Sequence, residues 1–301
     1  MNKEPLNINS VWTRQIESGK QPSGKDLQEH LSSVHDNNAG FTEAVAWNCR
    51  DINGKNSYEL LADIVDQKYH SHVLDLGCGS GVLLDLCNQR FGAELVLSGI
   101  DMNGSELELA RKRLAHTDTE LNQGTAQNLD CFADSSFDVI FCHWALTLMD
   151  PVSQVLATTK RLLKERGVFA AIIDGDPKTA PGYLEVHDII YEHVQSKYPD
   201  YGVFELGDPR VRTTEGLQKL VAETFEDFDI NITPITLSFN AAPSILAREA
   251  AGFFYASFVL SPKDFNQMLT DLEKYFTTKK QDGISCFTMP VNRLVVKGRG
   301  E

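Results

Sequence analysis

Short apolar runs alternate with amphipathic segments through the middle of the chain. Runs of consecutive apolar residues predict strands, and segments with apolar residues three and four positions apart predict helices. The predicted strands are residues 72–76, 95–101, 120–123, 137–142 and 168–173. The helices between them are predicted at residues 56–68, 82–90, 105–116 and 150–167. Near-continuous apolar strands separated by helices are typical of a parallel sheet that is covered on both faces.

Turn residues predict how one of these helices begins and ends. Asp150 is a suitable N-cap and Pro151 suits the first helical position. Gly167 suits a left-handed residue that ends the helix. At the start of the strand-and-helix region, Asn56 is predicted to cap a helix while Glu59 reaches back to it.

The pattern changes outside this central region. The first 45 residues are polar and predict an irregular or partly helical arm. Beyond Asp174 the pattern predicts helices near 182–197, 217–225, 243–259 and 262–277, a strand at 235–239 and a final strand at 287–297. We therefore expect an N-terminal arm or lid over residues 1–55 and one domain over 56–301. That domain is expected to carry helical substrate-side insertions at about 176–212 and 240–285.

Composition narrows the class of protein. The 301 residues carry a formal net charge of −14, which disfavours a nucleic-acid partner because such proteins need a basic face. The basic cluster Arg111-Lys112-Arg113 is interpreted as a solvated helix face. No two of the six cysteines have CxxC spacing, so no metal site is expected. Neither a signal peptide nor a membrane span is predicted, so a soluble cytoplasmic protein is expected.

The candidate chemistry lies in the loop Asp75-Leu76-Gly77-Cys78-Gly79-Ser80-Gly81. Its glycines tolerate positive φ and allow a ligand to approach the backbone closely. The helix that follows presents unpaired N–H groups at its N-terminus, where an anionic group is favoured. Asp101, twenty residues after Gly81, is placed to accept hydrogen bonds from ribose hydroxyls. The pattern indicates a nucleoside-binding site.

Two classes of cofactor compete for this loop. A dinucleotide fingerprint reads GxGxxG, but here the position of its third glycine is Val82. Asp75 would repel a pyrophosphate but would attract an α-ammonium group. S-adenosylmethionine carries an ammonium group, a carboxylate and an adenosine, and it lacks phosphate. Asp75 therefore favours S-adenosylmethionine over NAD.

The run VLDLGCGSG resembles the first motif of the class I S-adenosylmethionine-dependent methyltransferases. The resemblance extends over about residues 56–174. Four further stretches resemble later motifs of the family in the same order: GIDMN at 99–103, NQGTAQNL at 122–129, SFDVI with CHWAL between 136 and 146, and RLLKERG at 161–167. The resemblance implies an α/β fold with helical lid insertions. Its sheet would be doubly wound, seven-stranded and Rossmann-like, with an antiparallel last strand.

The resemblance also implies residue roles. The cofactor-binding residues would be Asp75, Gly77, Cys78, Gly79, Gly81, Asp101, Met102, Thr125, Ala126, Gln127 and Cys142. Asp75 and the glycines would line the methionine moiety, Asp101 would hold the ribose, and Met102 would pack on the adenine. Cys142 and His143 would lie near the sulfonium. Thr125 departs from the family's frequent Asp, and Leu148 departs from its frequent His.

Methyl transfer from a sulfonium is an in-line displacement that depends mainly on positioning. A general base is required only when the acceptor arrives protonated. His143 is the candidate base, although a packed histidine that lines the pocket is the favoured interpretation. We therefore expect methylation of an N, O or C atom of a small molecule, and a homodimer is left open. The alternatives are an NAD-dependent oxidoreductase and a non-catalytic S-adenosylmethionine-binding regulator, with protein or tRNA methylation less favoured.

Overall fold

The computed structural model describes residues 8–202 and 207–299. These residues form a seven-stranded sheet in the order β3-β2-β1-β4-β5-β7-β6. Neighbouring strands from β3 through β5 are parallel, and β7 runs antiparallel to β5. The strands are β1 His72–Leu76, β2 Val96–Asp101, β3 Glu120–Gln123, β4 Phe137–His143, β5 Leu163–Asp174, β6 Phe228–Ala241 and β7 Ser285–Gly298. The predicted doubly wound α/β sheet and its antiparallel last strand are confirmed.

The α-helices follow the same chain order. They are α1 Val11–Glu17, α2 Gly24–Asn38, α3 Glu43–Asn48, α4 Ser57–Ala62, α5 Val82–Phe91, α6 Gly104–Arg113, α7 Val152–Leu162, α8 Tyr183–Gln195, α9 Thr214–Thr224, α10 Pro243–Phe253 and α11 Pro262–Lys279. The predicted capping box of α4 is present, because the Asn56 side chain accepts from the Glu59 N–H and the Glu59 side chain accepts from the Asn56 N–H.

The chain divides into two compact units. The first unit comprises Met1–Gly54, Pro177–Leu206 and Thr236–Pro290, and the second comprises Lys55–Asp176, Gly207–Ile235 and Val291–Glu301. The assignment of residues 1–55, 176–212 and 240–285 to a lid and insertions of one domain over 56–301 stays a prediction. Residues 1–7 and 203–206 of those segments lie outside the described part of the chain.

The second unit has a helical layer on each face of its sheet. On one face, Leu74, Ile140 and Phe169 pack with the apolar stripes of α7 and α9 in a single buried cluster. The opposite face is contacted by α4, α5 and α6. Because side chains alternate between the faces of a strand, His143 lies on this second face and Cys142 on the first. Both faces are buried, which explains the near-continuous apolar strands in the sequence.

Two turn predictions for α7 are wrong. The helix begins at Val152, with Pro151 as an extended N-cap residue and without a side-chain capping bond. Asp150 instead contributes its backbone carbonyl, which accepts from Gln127 Nε2. The helix ends at Leu162, five residues before Gly167, because Leu163 is already extended and begins β5.

Gly167 lies within β5, where the pairing with β4 is irregular. Phe137 pairs with Leu163, but Val139 pairs with Val168, so β5 contains a bulge between these positions. A Cβ at Gly167 would lie 2.9 Å from both Leu163 Cδ2 and the Lys164 carbonyl oxygen. Glycine is therefore required here for close packing within a bulge, a role that resembles a helix stop in sequence.

Other boundaries also differ from prediction. The N-terminal arm is more helical than expected, since α1, α2 and α3 occupy much of residues 11–48. The strand predicted at 235–239 begins earlier, at Phe228. Its first half was not predicted, because these partly exposed residues lack the apolar run that marks a buried strand. The helix predicted at 243–259 ends at Phe253 and is followed by a short 3-10 turn at Tyr255–Val259.

Asp138 lies near the N-terminal end of β4 and connects this strand with β1 and β5. Its Oδ2 accepts from the N–H groups of Ser71 and His72 at 3.0 and 2.9 Å and from Lys164 Nζ at 2.8 Å. Burial opposes ionisation, but these hydrogen bonds outweigh it and lower the pKa of Asp138 to about 2. The carboxylate therefore connects β4 with the residues that enter β1 and with the bulge of β5.

We predict that Asp138→Asn lowers the free energy of unfolding at pH 7 by about 1–2 kcal/mol, since the charged acceptor is lost. Asp134→Asn is the matched control, because Asp134 is an exposed partner of Arg161 and should change stability by less than about 0.5 kcal/mol. Urea unfolding measures both. The depressed pKa stabilises the fold above about pH 4, so the difference should vanish as the pH falls toward about 2. Equal losses in both variants would contradict the assignment.

Candidate functional site

The loop between β1 and α5 is held against the end of β2 by its own backbone. The N–H groups of Gly77 and Cys78 both donate to the Ile100 carbonyl, at 2.8 and 3.0 Å. The Gly79 N–H donates to Asp101 Oδ2 at 2.8 Å. The predicted glycine loop and the predicted acid of β2 are therefore in direct contact.

Two of the loop glycines have no room for a side chain. Gly77 has φ +68°, and a Cβ there would lie 2.7 Å from Ala145 Cβ. Gly81 has φ +79° at the N-cap of α5, and its Cβ would lie 3.0 Å from Leu114 Cδ1. Both the left-handed conformation and the close approach require glycine.

Asp101 is oriented from two sides. While Oδ2 accepts from Gly79, Oδ1 accepts from the Asn103 N–H at 2.8 Å. Asn103 in turn caps α6, since its Oδ1 accepts from the Glu106 N–H at 3.0 Å. Each Asp101 oxygen has a second lone pair, so the carboxylate can also accept from a diol such as a ribose. The sequence did not lead us to predict that Asn103 and Glu106 cap α6, although Asn three residues before Glu is the usual signal of a capped helix.

Arg113 corrects the interpretation of the basic cluster as a solvated face. Its guanidinium donates to the Ser80 carbonyl at 2.8 Å and to Ser80 Oγ at 2.9 Å. The end of α6 thereby fixes the middle of the glycine loop. Arg111 and Lys112 are exposed as expected, so the three adjacent basic residues have different roles that charge alone does not distinguish.

Asp75 is the most unusual acid of the site. It is 1% exposed, and its Oδ1 has no hydrogen-bond partner among the described residues. Burial, and secondarily the negative charge of Asp101, raises the pKa of Asp75 to about 8. A buried carboxyl with one unpaired oxygen that lies beside a second acid suits a cationic group of a ligand. These two acids therefore fit the ammonium group of S-adenosylmethionine.

The residues predicted to surround an adenine are divided between surface and core. Met102 is 37% exposed and follows Asp101 directly, so its side chain is accessible to a ligand. Ala126 lies in the buried apolar cluster, and Thr125 is half-buried. Gln127 uses its side-chain N–H to bind the Asp150 carbonyl at 3.0 Å. Their contacts with a cofactor stay predictions.

Both predicted cysteines direct their thiols away from solvent. Cys142 is fully buried in the apolar cluster, and a Cβ at Gly99 would lie 2.9 Å from Cys78 Sγ. Burial raises the pKa of both thiols, so they remain protonated at neutral pH. Any contact of these residues with a ligand would therefore involve their backbone groups rather than a nucleophilic thiolate.

His143 is fixed by two residues of α4. Its Nε2 lies 2.8 Å from Ser57 Oγ, and its ring stacks on Tyr58 at 4.1 Å between centroids. Burial lowers the pKa of His143 to about 3. A base this weak accepts a proton poorly, since efficient general bases have pKa values near the working pH. The geometry supports a packed histidine at the end of β4, while its catalytic role stays a prediction.

Within residues 8–202 and 207–299, no group of three His, Cys, Asp or Glu side chains is arranged to hold a metal ion. None of the helices in these ranges has the length and apolar character that crossing a membrane requires.

Comparison with known proteins assigns the central region. The family model described as "Methyltransferase domain" matches residues 67–205. The chain is 28% identical over 165 residues to a demethylmenaquinone methyltransferase of Listeria welshimeri, spanning 52% of this chain and 69% of the relative. It is 30% identical over 165 residues to a carboxy-S-adenosyl-L-methionine synthase of Campylobacter curvus, spanning 53% and 67%.

The fold is also similar to a solved structure. The YcgJ protein of Bacillus subtilis superposes with a TM-score of 0.55 and 18% identity, covering 81% of this chain and 99% of that one. At this identity the likeness concerns the fold.

We predict that Asp75→Asn stabilises the ligand-free protein. The folded pKa of about 8 lies above the unfolded value of about 3.9, so the folded state retains a proton that unfolding releases. Stability is thus complete below about pH 4 and declines as the pH rises toward 8. The variant should gain on the order of 4 kcal/mol at pH 7.5 and lose this decline, as measured by urea unfolding from pH 5 to 8. A variant that is less stable than the parent at pH 7.5 would show that Asp75 has a partner.

We predict that His143 stays neutral throughout the physiological range. Its imidazole NMR signals should not titrate between pH 5 and 8, because burial lowers its pKa to about 3. The His143→Gln spectrum identifies the signals by their loss. A midpoint above pH 5 would contradict the lowered pKa and would restore His143 as a candidate base.

Proposed function

Since this chain belongs to the class I S-adenosylmethionine-dependent methyltransferases, we propose that it transfers the methyl group of S-adenosylmethionine to a small-molecule acceptor. The relatives of similar sequence are named for demethylmenaquinone, for ubiquinone biosynthesis and for carboxy-S-adenosyl-L-methionine, all of which concern small molecules. The net charge of −14 supports the same choice over a nucleic acid.

The observation that carries the cofactor assignment is the buried Oδ1 of Asp75, which has no hydrogen-bond partner among residues 8–202 and 207–299 and lies beside the glycine loop. An ammonium group placed at Oδ1 would provide the missing hydrogen bond and would favour the ionised carboxylate. The Asp101 carboxylate, held by Gly79 and Asn103, would accept from the ribose hydroxyls. Met102 offers an accessible apolar side chain to the adenine.

S-adenosylmethionine, when bound, supplies an activated methyl group on its sulfonium sulfur. The residues of this chain contribute orientation. The loop backbone is already fixed by Ile100, Asp101 and Arg113, so little ordering remains when a ligand binds. We propose that the chain contributes mainly this positioning and that the acceptor arrives deprotonated or loses its proton to water.

The alternatives predict different chemistry. An NAD-dependent oxidoreductase would need to place a pyrophosphate beside Asp75, a buried carboxyl with a second acid next to it, which disfavours that cofactor. A regulator that binds S-adenosylmethionine without reaction would form no S-adenosylhomocysteine. Methylation of protein or tRNA would place the methyl label in macromolecules. The cytoplasmic location and the homodimer stay predictions.

The acceptor class is tested with methyl-labelled S-adenosylmethionine and a cell extract that is separated by size before the reaction. We expect label in the fraction of small molecules and equimolar S-adenosylhomocysteine. The Gly77→Ala variant is the control for background reaction, because its Cβ would collide with Ala145. Label in protein or RNA, or cofactor binding without any turnover, would contradict the proposal.

We predict that the affinity for S-adenosylmethionine increases with pH between about 6 and 7.5. Below its pKa of about 8, Asp75 must release a proton before it can pair with an ammonium group, so the affinity should rise by up to about tenfold per pH unit. Asp75→Asn should bind at least about tenfold more weakly at pH 7.5 and should lose the pH dependence. Isothermal titration measures both, with Asp134→Asn as the surface control. A pH-independent affinity in the parent would exclude an ion pair at Asp75.

A further inference from the structure

Glu106 brings a third acid to the glycine loop. It lies in the first turn of α6 and is 3% exposed. Its carboxylate is close to the loop backbone, since a Cβ built on Gly79 would lie 3.7 Å from Glu106 Oε2. The N–H of the same glycine donates to Asp101 Oδ2 at 2.8 Å. Two carboxylates therefore approach the loop at Gly79.

The capping of α6 does not require the Glu106 carboxylate. At the third position of a helix, a Glu side chain commonly accepts from the N–H of the N-cap residue. Here that residue is Asn103, and its N–H donates to Asp101 Oδ1 at 2.8 Å. The cap itself is made by Asn103 Oδ1, which accepts from the Glu106 N–H. A buried charge beside the glycine loop therefore has an explanation to be sought in the loop rather than in the helix.

Negative charge exceeds positive charge at this loop. The side chains that contribute are three acids, Asp75, Asp101 and Glu106, and the guanidinium of Arg113. Asp75 Oδ1 is buried and has no hydrogen-bond partner among the described residues. Burial chiefly, and the negative charges of the three acids in addition, raise the pKa of the Cys78 thiol within the loop. The loop therefore favours a ligand that brings positive charge.

The two ends of the cofactor indicate where its sulfur would lie. In S-adenosylmethionine the sulfur joins the chain that bears the ammonium group to the ribose. With the ammonium group at Asp75 and the ribose at Asp101, the sulfur would lie along the part of the loop that includes Gly79. S-adenosylhomocysteine has the same ammonium group, carboxylate and ribose, but its sulfur is neutral. A carboxylate at this place therefore attracts the sulfur of the donor and not that of the product.

We propose that Glu106 distinguishes the methyl donor from the product, because its carboxylate stabilises the positive sulfur of S-adenosylmethionine and contributes little to binding of S-adenosylhomocysteine. The inference rests on the proposed function and adds a specificity-determining residue to those that bind the parts common to both molecules. Transfer of the methyl group leaves the electron pair of the S–C bond on the sulfur, so the attraction to Glu106 is lost with the reaction. This loss favours release of the product.

Isothermal titration of the full chain at pH 7.5, with S-adenosylmethionine and S-adenosylhomocysteine as separate probes, tests the inference. Glu106→Gln keeps the shape of the side chain and removes its charge. We expect this variant to bind S-adenosylmethionine about fivefold more weakly and S-adenosylhomocysteine within about twofold of the parent. Glu108→Gln is the matched control, because Glu108 is exposed on the same helix, and it should leave both affinities unchanged.

A second variant, Glu106→Met, removes the charge without leaving buried polar atoms and should show the same selective loss. Thermal unfolding without ligand identifies which variant is folded under the conditions of the titration. An equal loss of affinity for both ligands would show that Glu106 only supports the loop and would overturn the inference, as would an unchanged affinity for S-adenosylmethionine. Binding of neither ligand by the parent would instead contradict the proposed function itself.

Discussion

The fixed backbone of the glycine loop is the constraint on which the site of the second unit depends. A single carbonyl, that of Ile100, accepts from two successive loop N–H groups, and Asp101 accepts from a third. Arg113 fixes the loop from the end of α6. These contacts bring the ends of β1 and β2 together, so Asp75 and Asp101 are held close despite their like charges. Asp101 accepts two backbone hydrogen bonds, whereas Asp75 Oδ1 accepts none from the described residues. Asp75 is therefore the acid whose ionisation is costly.

The different hydrogen bonding of Asp75 and Asp101 separates two roles that look alike in the sequence. Both carboxylate oxygens of Asp101 accept hydrogen bonds from backbone N–H groups. Asp75 is an acid whose burial favours its neutral form. One carboxylate is therefore an element of structure that can also meet a ligand, whereas the other, with a pKa of about 8, becomes largely ionised at pH 7 when a cation pairs with it. Their environments, rather than their residue type, distinguish them.

The sequence predicted those features that depend on residues close together in the chain. The apolar run located β1 to the residue, and the glycines with Asp75 identified the cofactor class, because each depends on residues that are adjacent in the chain. Gly167 was misassigned, since a bulge and a helix stop both use glycine and only the pairing with β4 separates them. The roles of Arg113 and Asp138 depend on contacts between distant residues, such as Ser80 with Arg113 or Ser71 with Asp138, which no spacing rule encodes.

The buried acid at position 75 also has an evolutionary consequence. A protein that binds its cofactor gains from this carboxyl in the complex, while a protein that has lost the cofactor retains only its cost. In a descendant without binding, selection for stability would replace the acid by Asn or an apolar residue. The glycines would decay more slowly, because Gly77 and Gly81 are required by packing whether or not a ligand is present. Among relatives that share this loop, the residue at this position should therefore separate working enzymes from inactive copies.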